Sequence, residues 1–504
     1  MTMLTVWQRV AAEAARRPGD VALRRADGSG TLRYGRLDPL TRRIAADFAG
    51  AGVGPGDRVL IFSDNGPETY LGVLACARTG AIAVLVDGAL PPATVARFAE
   101  ITTPSAIALA PGAALTEDAR PGGLPVIDIG IDSPTDDSGL IADPGVVSAP
   151  DDPLAMIFTS GTTGEPKAVL LAHRTFYAVA DILAAEGLDW IDWAPGQSTY
   201  SPLPATHIGG LWWILNCLMH GNLCITGGEH GASTLEVLTT HAVTTCCLVP
   251  TLIGRLVAEL RSTGATLPAA LRFVGYGGSR AVAADIDVLE AAGVRTAQVY
   301  GLSETGCTAL CLPTAAGSLT RIAAGAVGRP YPGVLTRLDE TGALWVNSPA
   351  NMLGYWNNPA KTAETLVDGW VNTGDLLDLG DDGYFYIRGR ASEMIISGGV
   401  NIAPDEIDRI AEGVDGVREA ACFEIPDPEF GALVGLAVVP TGPLDAAQTR
   451  GLKRDLAARF RRESEAIARP ARIITVAAIP RTPSSGKVIR AELARTAAGG
   501  RSDD

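Results

Sequence analysis

Short apolar runs alternate with amphipathic stretches through the first half of the chain. Residues 59–62 are apolar, a helical pattern follows over 71–78, and a second apolar run occupies 81–86. This order of strand, turn, helix and strand is typical of a parallel sheet whose faces are covered by helices. The pattern therefore predicts an α/β fold. Further runs with the character of buried strands lie at 155–158, 223–226, 245–249 and 272–275.

The pattern changes in the last third of the chain, where runs bounded by turn residues predict strands at 342–346 and 383–387. A new unit begins near residue 392, because 504 residues exceed one compact domain and a fresh series of elements starts there. We predict a large domain of mixed and parallel sheets with flanking helices at 1–390 and a small α+β domain at 391–504. The predicted elements of the small domain are helices at 405–412 and 446–462 and strands at 417–424 and 433–439.

Composition narrows the function mainly by exclusion. The formal net charge of −15 argues against a nucleic-acid partner, which requires a basic surface. No uncharged apolar run is long enough to span a membrane, and the first residues lack the features of a signal peptide. We therefore expect a cytoplasmic protein without a membrane partner. The eight cysteines contain no CxxC pair and are expected to be reduced, mostly buried thiols.

The segment 159–167, Thr-Ser-Gly-Thr-Thr-Gly-Glu-Pro-Lys, directly follows a predicted strand. Glycines let backbone N–H groups approach an anion, hydroxyls donate hydrogen bonds, and lysine supplies positive charge. A polar turn would explain a shorter string, but nine residues of this composition favour a polyphosphate-binding loop whose spacing differs from that of a Walker A loop. The predicted nucleotide ligands in this loop are Thr159, Ser160, Gly161, Thr162, Thr163, Gly164 and Lys167.

A second polar segment, 300–306, combines an aromatic ring, glycine, a carboxylate and a hydroxyl at a predicted strand end. Ligands bind at such ends in α/β sheets, and the Glu304 carboxylate offers the hard oxygen that Mg²⁺ prefers. The same string also fits a helix cap of the Ser-x-x-Glu type.

Two later segments carry further polar groups. Asp375 lies in a Thr-Gly-Asp turn, which by itself is more often structural, and Arg390 follows in Arg-Gly-Arg. A basic loop, 480–487, ends on Lys487. Of the 41 basic residues only four are lysines, and two of those, Lys167 and Lys487, lie in the candidate phosphate loops.

Together these segments resemble the adenylate-forming superfamily, which includes acyl-CoA synthetases, adenylation domains of peptide synthetases and beetle luciferases. The matching strings occur in order over almost the whole chain, and 393–407 looks most like the aryl- and acyl-CoA ligase branch. The resemblance implies an enzyme with a mobile C-terminal domain. Such an enzyme uses ATP and Mg²⁺ to convert a carboxylic acid into acyl-AMP with release of pyrophosphate, and passes the acyl group to a second nucleophile.

The resemblance also implies a role for each matching residue. Lys487 would bridge the substrate carboxylate and the α-phosphate, Thr305 would contact that phosphate, and Glu304 would ligate Mg²⁺. His207 would line the acyl pocket, and Tyr300 would stack on adenine. The other implied nucleotide contacts are the 159–167 loop on the β- and γ-phosphates, Gly278, Ser279 and Gly301 beside adenine, and Asp375 and Arg390 on the ribose.

The acid and the acceptor stay open at this point. Residues 201–207 contain no Asp that would hold an α-amino group, so we expect an apolar aromatic, cyclic or medium-chain acid. The side chains of Trp212, Trp213, Ile214 and Tyr276 could line its pocket or belong to the core. The branch favours CoA as acceptor, with an amine or a carrier-protein thiol supplied in trans as alternatives. A non-catalytic nucleotide-binding protein is the alternative from another class.

Overall fold

The structure is a computed structural model that describes residues 4–110, 122–135, 148–160, 165–187, 191, 193–227, 232–482 and 487–499. In chain order, its α-helices are α1 Val6–Arg16, α2 Tyr34–Gly50, α3 Pro67–Thr79, α4 Pro92–Thr102, α5 Ala178–Ala185, α6 Ile208–Met219, α7 Thr234–Thr240, α8 Pro250–Thr263, α9 Ala283–Ala291, α10 Ser318–Ala323, α11 Pro359–Thr365, α12 Pro404–Glu412, α13 Ala446–Glu463 and α14 Arg490–Gly499.

The strands in chain order are β1 Val21–Arg25, β2 Leu32–Arg33, β3 Arg58–Ser63, β4 Ile82–Asp87, β5 Ala106–Leu109, β6 Val126–Asp128, β7 Pro153–Ser160, β8 Pro166–Ala172, β9 Ser198–Tyr200, β10 Leu223–Thr226, β11 Thr245–Leu248, β12 Phe273–Gly277, β13 Arg295–Tyr300, β14 Leu310–Pro313, β15 Ala326–Pro330, β16 Leu335–Leu338, β17 Ala343–Asn347, β18 Gly354–Tyr355, β19 Leu366–Val367, β20 Trp370–Leu379, β21 Phe385–Arg390, β22 Ile395–Ser397, β23 Val400–Ile402, β24 Val417–Asp427, β25 Gly431–Pro440 and β26 Arg472–Thr475.

One sheet is mostly parallel and has the strand order β18-β8-β7-β4-β3-β5-β6. Helix α3 connects β3 to β4 and has every residue buried. Its first turn contains Pro67, whose missing N–H is not needed there, and it ends at Gly80 with φ 72°. The chain thus forms the predicted strand–helix–strand unit, and β7 ends where the candidate phosphate loop begins.

The larger sheet has a parallel centre and an antiparallel extension. Strands β13, β12, β11, β9, β10 and β1 run parallel, and β14, β15, β21, β20, β17 and β16 continue the sheet as antiparallel neighbours. The two sheets share a core that includes Trp213, Phe176 and Tyr70. Both classes of sheet predicted for the large N-terminal domain are therefore present.

The residues after 390 form a smaller α+β unit with its own cores. Strands β24, β25 and β26 make a three-stranded sheet, and β22 and β23 make a hairpin. Two hydrophobic clusters consist of residues from 395 onward, with Phe460 and Phe423 among their buried members. We call residues before 391 the N-terminal part and residues from 391 the C-terminal part.

The α/β fold class expected from the sequence is confirmed, and the predicted strands and helices of both parts lie at the expected places. Seven of the eight cysteines are buried or packed on the core as free thiols in the N-terminal part, and the eighth, Cys422, is buried in the C-terminal part. In the described part of the chain, no helix combines the length and apolar composition needed to cross a bilayer.

Candidate active site

Antiparallel pairing of β20 with β21 brings Asp375 and Arg390 together. The two residues are cross-strand partners, and Arg390 Nε lies 2.8 Å from Asp375 Oδ1. From the end of β13, Tyr300 Oη donates a 2.7 Å hydrogen bond to Asp375 Oδ2. The carboxylate is only 3% exposed. The Tyr300 hydroxyl contacts one carboxylate oxygen and the Arg390 guanidinium contacts the other. Together they hold the Asp375 carboxylate in a single orientation.

Glu304 lies in the 3₁₀ turn Ser303–Thr305 that follows β13. Tyr355 Oη, on strand β18, donates a 2.7 Å hydrogen bond to Glu304 Oε1. Lys167 Nζ lies 5.4 Å from the centre of the Tyr355 ring, within the range of a cation–π contact. Burial lowers the pKa of Lys167, Lys361 lowers it further, and Glu304 opposes both effects. Tyr355 thus stands between the candidate metal ligand and the candidate phosphate-binding lysine.

Lys487 of the C-terminal part reaches the same region. Lys487 as a whole is exposed to solvent, but nearby protein atoms still desolvate its ammonium and lower its pKa; Arg390 lowers it further, while Asp375, Glu393 and Glu304 raise it. The backbone N–H of Lys487 donates a 3.0 Å hydrogen bond to Thr482 Oγ1. The structure therefore brings Lys487 among the groups that the sequence assigned to the ribose and to Mg²⁺.

His207 is the N-cap residue of α6 and is half-buried. Burial lowers the pKa of its imidazole, Lys487 lowers it further, and Asp87 at the end of β4 opposes them. Both lowering effects favour the neutral form of the ring, so His207 adds little positive charge near Lys487.

Close backbone approaches shape the strand ends around the site. A Cβ on Gly301 would lie 2.4 Å from the carbonyl carbon of Cys307, so that position requires glycine, and Gly278 has φ 86°, which favours glycine. Thr305 is fully buried, and its hydroxyl accepts a 2.9 Å hydrogen bond from Leu302 N. That hydroxyl closes the turn that carries Glu304 rather than pointing outward in this arrangement.

Part of the predicted phosphate loop lies outside the described residues. These are Gly161, Thr162, Thr163 and Gly164, and only the backbone of Ser160 is described. The two ends of the loop are described: Thr159 on β7 is the register partner of Lys167 on β8. The loop therefore connects two adjacent antiparallel strands, and its lysine lies next to Tyr355.

The four hydrophobic residues considered as a lining of the acyl pocket belong to the core in this structure. Trp212 and Trp213 are 7% and 2% exposed, and Ile214 and Tyr276 are 0% and 1% exposed. Trp213 Nε1 donates a 2.8 Å hydrogen bond to Thr199 Oγ1, which fixes the indole in the interior. Of the two interpretations left open by the sequence, burial in the core is the one that the structure supports.

Two buried polar atoms at the site have no hydrogen-bond partner within the described ranges. They are Ser279 Oγ, after β12, and Asp375 Oδ1, which has only its ion pair with Arg390. Buried polar groups are normally satisfied, so these atoms fit a polar ligand. Glu304 is the carboxylate beside Lys167, and Mg²⁺ is usually held by one or two carboxylates together with substrate phosphates. The residues present thus fit ATP with Mg²⁺.

Sequence reasoning missed Tyr355, which contacts both Glu304 and Lys167. It lies far from both in the chain, on a strand of two residues that pairs with β8. A lone tyrosine between Gly354 and Trp356 carries no spacing signal. Only the pairing of β18 with β8 brings it to the site.

Residues 10–356 match the AMP-binding enzyme family, and residues 406–487 match the AMP-binding enzyme C-terminal domain. The medium/long-chain fatty acid–[acyl-carrier-protein] ligase FadD10 of Mycobacterium tuberculosis is 61% identical over 98% of this chain and 95% of its own. The fatty acid–[acyl-carrier-protein] ligase MmaC of Mycobacterium marinum is 60% identical over 98% of both chains.

Among solved structures, the ATP-bound RpMatB-BxBclM chimera B1 has a TM-score of 0.81 at 25% identity, covering 98% of this chain and 99% of that one. The family matches and the similar ligases favour an enzyme over a non-catalytic nucleotide-binding protein. The order of motifs, the α/β architecture and the meeting of Lys487 with Asp375, Arg390 and Glu304 agree with them. The chain belongs to the AMP-binding enzyme family and is an ATP-dependent ligase that forms acyl-adenylates.

Proposed function

We propose that this ligase activates a fatty acid of medium or long chain and transfers the acyl group to the thiol of a carrier protein supplied as a separate chain. The observation that carries the proposal is identity of 61% and 60%, over 98% of the chain, to two fatty acid–[acyl-carrier-protein] ligases. The sequence alone favours CoA as the acceptor, with a carrier-protein thiol and an amine as the alternatives. The similarity to these two ligases favours a carrier-protein thiol over CoA as the acceptor.

In the first step, a carboxylate oxygen of the fatty acid attacks the α-phosphorus of ATP. A new P–O bond forms, and the bond to the pyrophosphate oxygen breaks. Both reactants are anions, so positive charge must lie between them. We assign this role to Lys487, because its ammonium already lies among Asp375, Arg390 and Glu304. No general base is needed, since the acid is ionised at neutral pH.

We assign the nucleotide contacts to the groups around Lys487. Asp375, held by Tyr300 and Arg390, accepts the ribose hydroxyls. Glu304 holds Mg²⁺, which supplies neutralising charge to the phosphates when bound. The remaining proposed contacts are the 159–167 loop on the β- and γ-phosphates, and Tyr300, Gly278, Ser279 and Gly301 beside adenine.

In the second step, the carrier thiol attacks the carbonyl carbon of acyl-AMP. A thioester forms, the thiol proton is lost to solvent, and AMP leaves. A protein-bound thiol needs a path to the carbonyl, and the Lys487 side chain that we assign to the first step would stand beside that atom. We therefore propose that the two parts are separate domains, 1–390 and 391–504, and that the second moves between the steps.

The test is a product scan by mass spectrometry. Saturated fatty acids of increasing chain length are incubated with ATP, Mg²⁺ and the enzyme, and each mixture receives CoA, a simple amine or a phosphopantetheinylated acyl-carrier protein. We expect pyrophosphate release with the preferred acid and a thioester mass shift on the carrier. A faster product with CoA or with the amine would contradict the proposed acceptor while leaving the adenylation step intact. Equal activity with aromatic acids would contradict the proposed acid.

A further inference from the structure

An ion pair joins the N-terminal part to the C-terminal part close to the nucleotide site. Arg280 Nη2 lies 2.8 Å from Glu412 Oε1, and the two side chains are 21% and 25% exposed. Arg280 directly follows Ser279, whose buried hydroxyl has no hydrogen-bond partner among the described residues. Glu412 is the last residue of α12. The pair therefore connects the rim of the site to a helix of the C-terminal part.

The same helix also contacts the strand that carries Arg390. A Cβ on Gly389 would lie 3.5 Å from Pro404 Cδ at the start of α12. Helix α12 thus touches the N-terminal part at both ends, at β21 through Pro404 and at Arg280 through Glu412. Two separated contacts on one rigid helix fix its direction as well as its distance.

The face of α12 at this interface is acidic. Arg490, from α14, neutralises part of it, with Nη2 2.9 Å from Asp408 Oδ2 and 3.4 Å from Asp405 Oδ1. Arg280 supplies positive charge from the other side, and all three acidic residues act on its guanidinium. The N-terminal part therefore contributes a cation to a cluster that would otherwise hold three carboxylates and one guanidinium.

A second electrostatic contact crosses the interface nearby. Burial raises the pKa of Asp285 on α9, Arg261 on α8 and Arg418 on β24 lower it, and Glu419 raises it. The ion-pair partner of Asp285 is Arg261 at 3.8 Å within the N-terminal part, so the pair of complementary sign that spans the two parts is Arg280 with Glu412. Complementary charges of this kind select one relative arrangement of two surfaces.

We propose that Arg280 is a positioning residue, and that its ion pair with Glu412 holds the C-terminal part in the arrangement in which Lys487 faces the nucleotide site. The pair serves acyl-AMP formation, which needs Lys487. The pair does not serve acyl transfer, because the carrier thiol can reach acyl-AMP only after the C-terminal part has moved. This last point rests on the proposed function. Arg280 thereby adjusts the balance between the two steps without contacting the reacting atoms.

Removing the guanidinium has a larger effect than losing one surface ion pair. The variant Arg280→Ala removes the cation that faces Glu412, so at pH 8 its partly buried carboxylate must either remain unpaired or take up a proton, and both are costly. We expect acyl-AMP formation to slow by about tenfold. Transfer from supplied acyl-AMP should stay within about twofold of the wild-type rate.

The effect of pH separates positioning from damage to the fold. Burial raises the pKa of Glu412 to about 7, Arg280 opposes it, and Asp408 and Glu419 raise it. Burial and Asp408 raise the pKa of Asp405 to about 6, with Arg490 and Arg280 opposing and Glu393 adding to the rise. Without Arg280 these carboxyls bind protons still more readily in the arrangement in which Lys487 faces the nucleotide site. Reaching that arrangement therefore takes up protons, and a lower pH favours it. The defect of Arg280→Ala should therefore shrink as the pH falls from 8 to 6.

The experiment uses the full-length enzyme with fatty acid, ATP and Mg²⁺. Pyrophosphate release reports the first step, and thioester formation from synthetic acyl-AMP reports the second, each at pH 6, 7 and 8. The matched control is Arg321→Ala, because Arg321 pairs with Asp382 at 2.9 Å inside the N-terminal part. The exchange Arg280→Glu with Glu412→Arg should recover part of the rate that either single change loses.

An equal loss in both steps with a rate ratio that does not change with pH would overturn the proposal, as would a wild-type first-step rate in Arg280→Ala. If wild-type enzyme itself transfers to CoA and not to a carrier, the proposed acceptor is wrong. The positioning role is then judged with CoA as the acceptor.

Discussion

Tyr355 Oη and Glu304 Oε1 are joined by a 2.7 Å hydrogen bond that links strand β18 to the turn after β13. Burial and Glu304 raise the pKa of Tyr355, so the phenol remains a donor at neutral pH. Glu304 is thereby oriented with its second oxygen available. Metal-binding carboxylates are commonly oriented in this way by a hydrogen bond from a neighbouring group.

The first prediction concerns this bond. In Tyr355→Phe the ring and its contact with Lys167 remain, but Glu304 loses its orienting donor. We expect the Mg²⁺ concentration for half-maximal pyrophosphate release to rise by about tenfold, because changes to groups behind a metal ligand typically cost that much. The matched control is Tyr386→Phe, which removes a 3.0 Å bond to Asp382 elsewhere. An unchanged Mg²⁺ dependence would argue against Glu304 as the ligand.

The second prediction concerns the ribose site. Asp375→Asn keeps the shape of the side chain but removes the charge that pairs with Arg390 and accepts from Tyr300. We expect the KM for ATP to rise by about tenfold or more, since hydrogen bonds to charged groups are worth ~1.5–3 kcal/mol. Asp378→Asn on the same strand is the control, because its ion pair with Arg388 is exposed. Equal effects of the two changes would refute the assignment.

The third prediction separates the two half-reactions. Lys487→Ala removes the ammonium from its position between Arg390, Asp375 and Glu304. We expect loss of acyl-AMP formation by about a hundredfold or more, because charge stabilisation of this kind is usually the largest catalytic contribution. Thioester formation from supplied acyl-AMP should be largely retained. Lys453→Ala, on an exposed part of α13, is the control. Equal loss in both steps would contradict the role given to Lys487.

The fourth prediction follows from the sign of the shift at Lys487. Desolvation and Arg390 lower the pKa of this group, and the charged form is the useful one. As the pH rises through the lowered pKa, the charge is lost, so pyrophosphate release should fall at a lower pH than for an ordinary lysine. A pH–rate profile from 7 to 10 measures this. In Arg390→Gln one lowering cause is absent, so the fall should move to higher pH; a fall that moves to lower pH would contradict the assigned cause.

The fifth prediction concerns stability. A methyl group on Gly301 would meet the Cys307 backbone at 2.4 Å, which the turn cannot relieve by rotating a side chain. We expect Gly301→Ala to lower the free energy of unfolding by ~1–3 kcal/mol, the usual cost of overpacking. Gly209→Ala is the control, since its methyl group would meet only Leu203 Cδ1 at 3.5 Å. Urea unfolding of both variants provides the measurement.

The sequence predicted the secondary-structure elements and the short motifs, because both depend on residues that are neighbours along the chain. Apolar runs placed β3, β4, β7 and the strands after them, and glycine-rich segments marked the site at their ends. Asp375 and Arg390 were both identified from short motifs, and they proved to be cross-strand partners.

Contacts between distant segments could not be predicted in this way. Tyr355 reaches Glu304 because a strand of two residues pairs with β8, and nothing in its own neighbourhood signals that pairing. Leu302 N donates to the hydroxyl of Thr305 within the turn in this arrangement, and the contact of Thr305 with the α-phosphate stays a prediction. The Arg280–Glu412 pair depends on how the two parts meet, which neither hydrophobic periodicity nor a local motif encodes.

Arg390 is the last residue of β21, and the 3₁₀ turn Ala391–Glu393 begins at the next residue. The side chain anchored to Asp375 is therefore separated by one peptide bond from the segment about which the C-terminal part would turn. A change of backbone angle at 391–393 would carry every later residue with it. Lys487 lies after this segment and would move with the C-terminal part, whereas Asp375 and Arg390 lie before it and would stay in place. AMP can thus remain bound while the lysine withdraws.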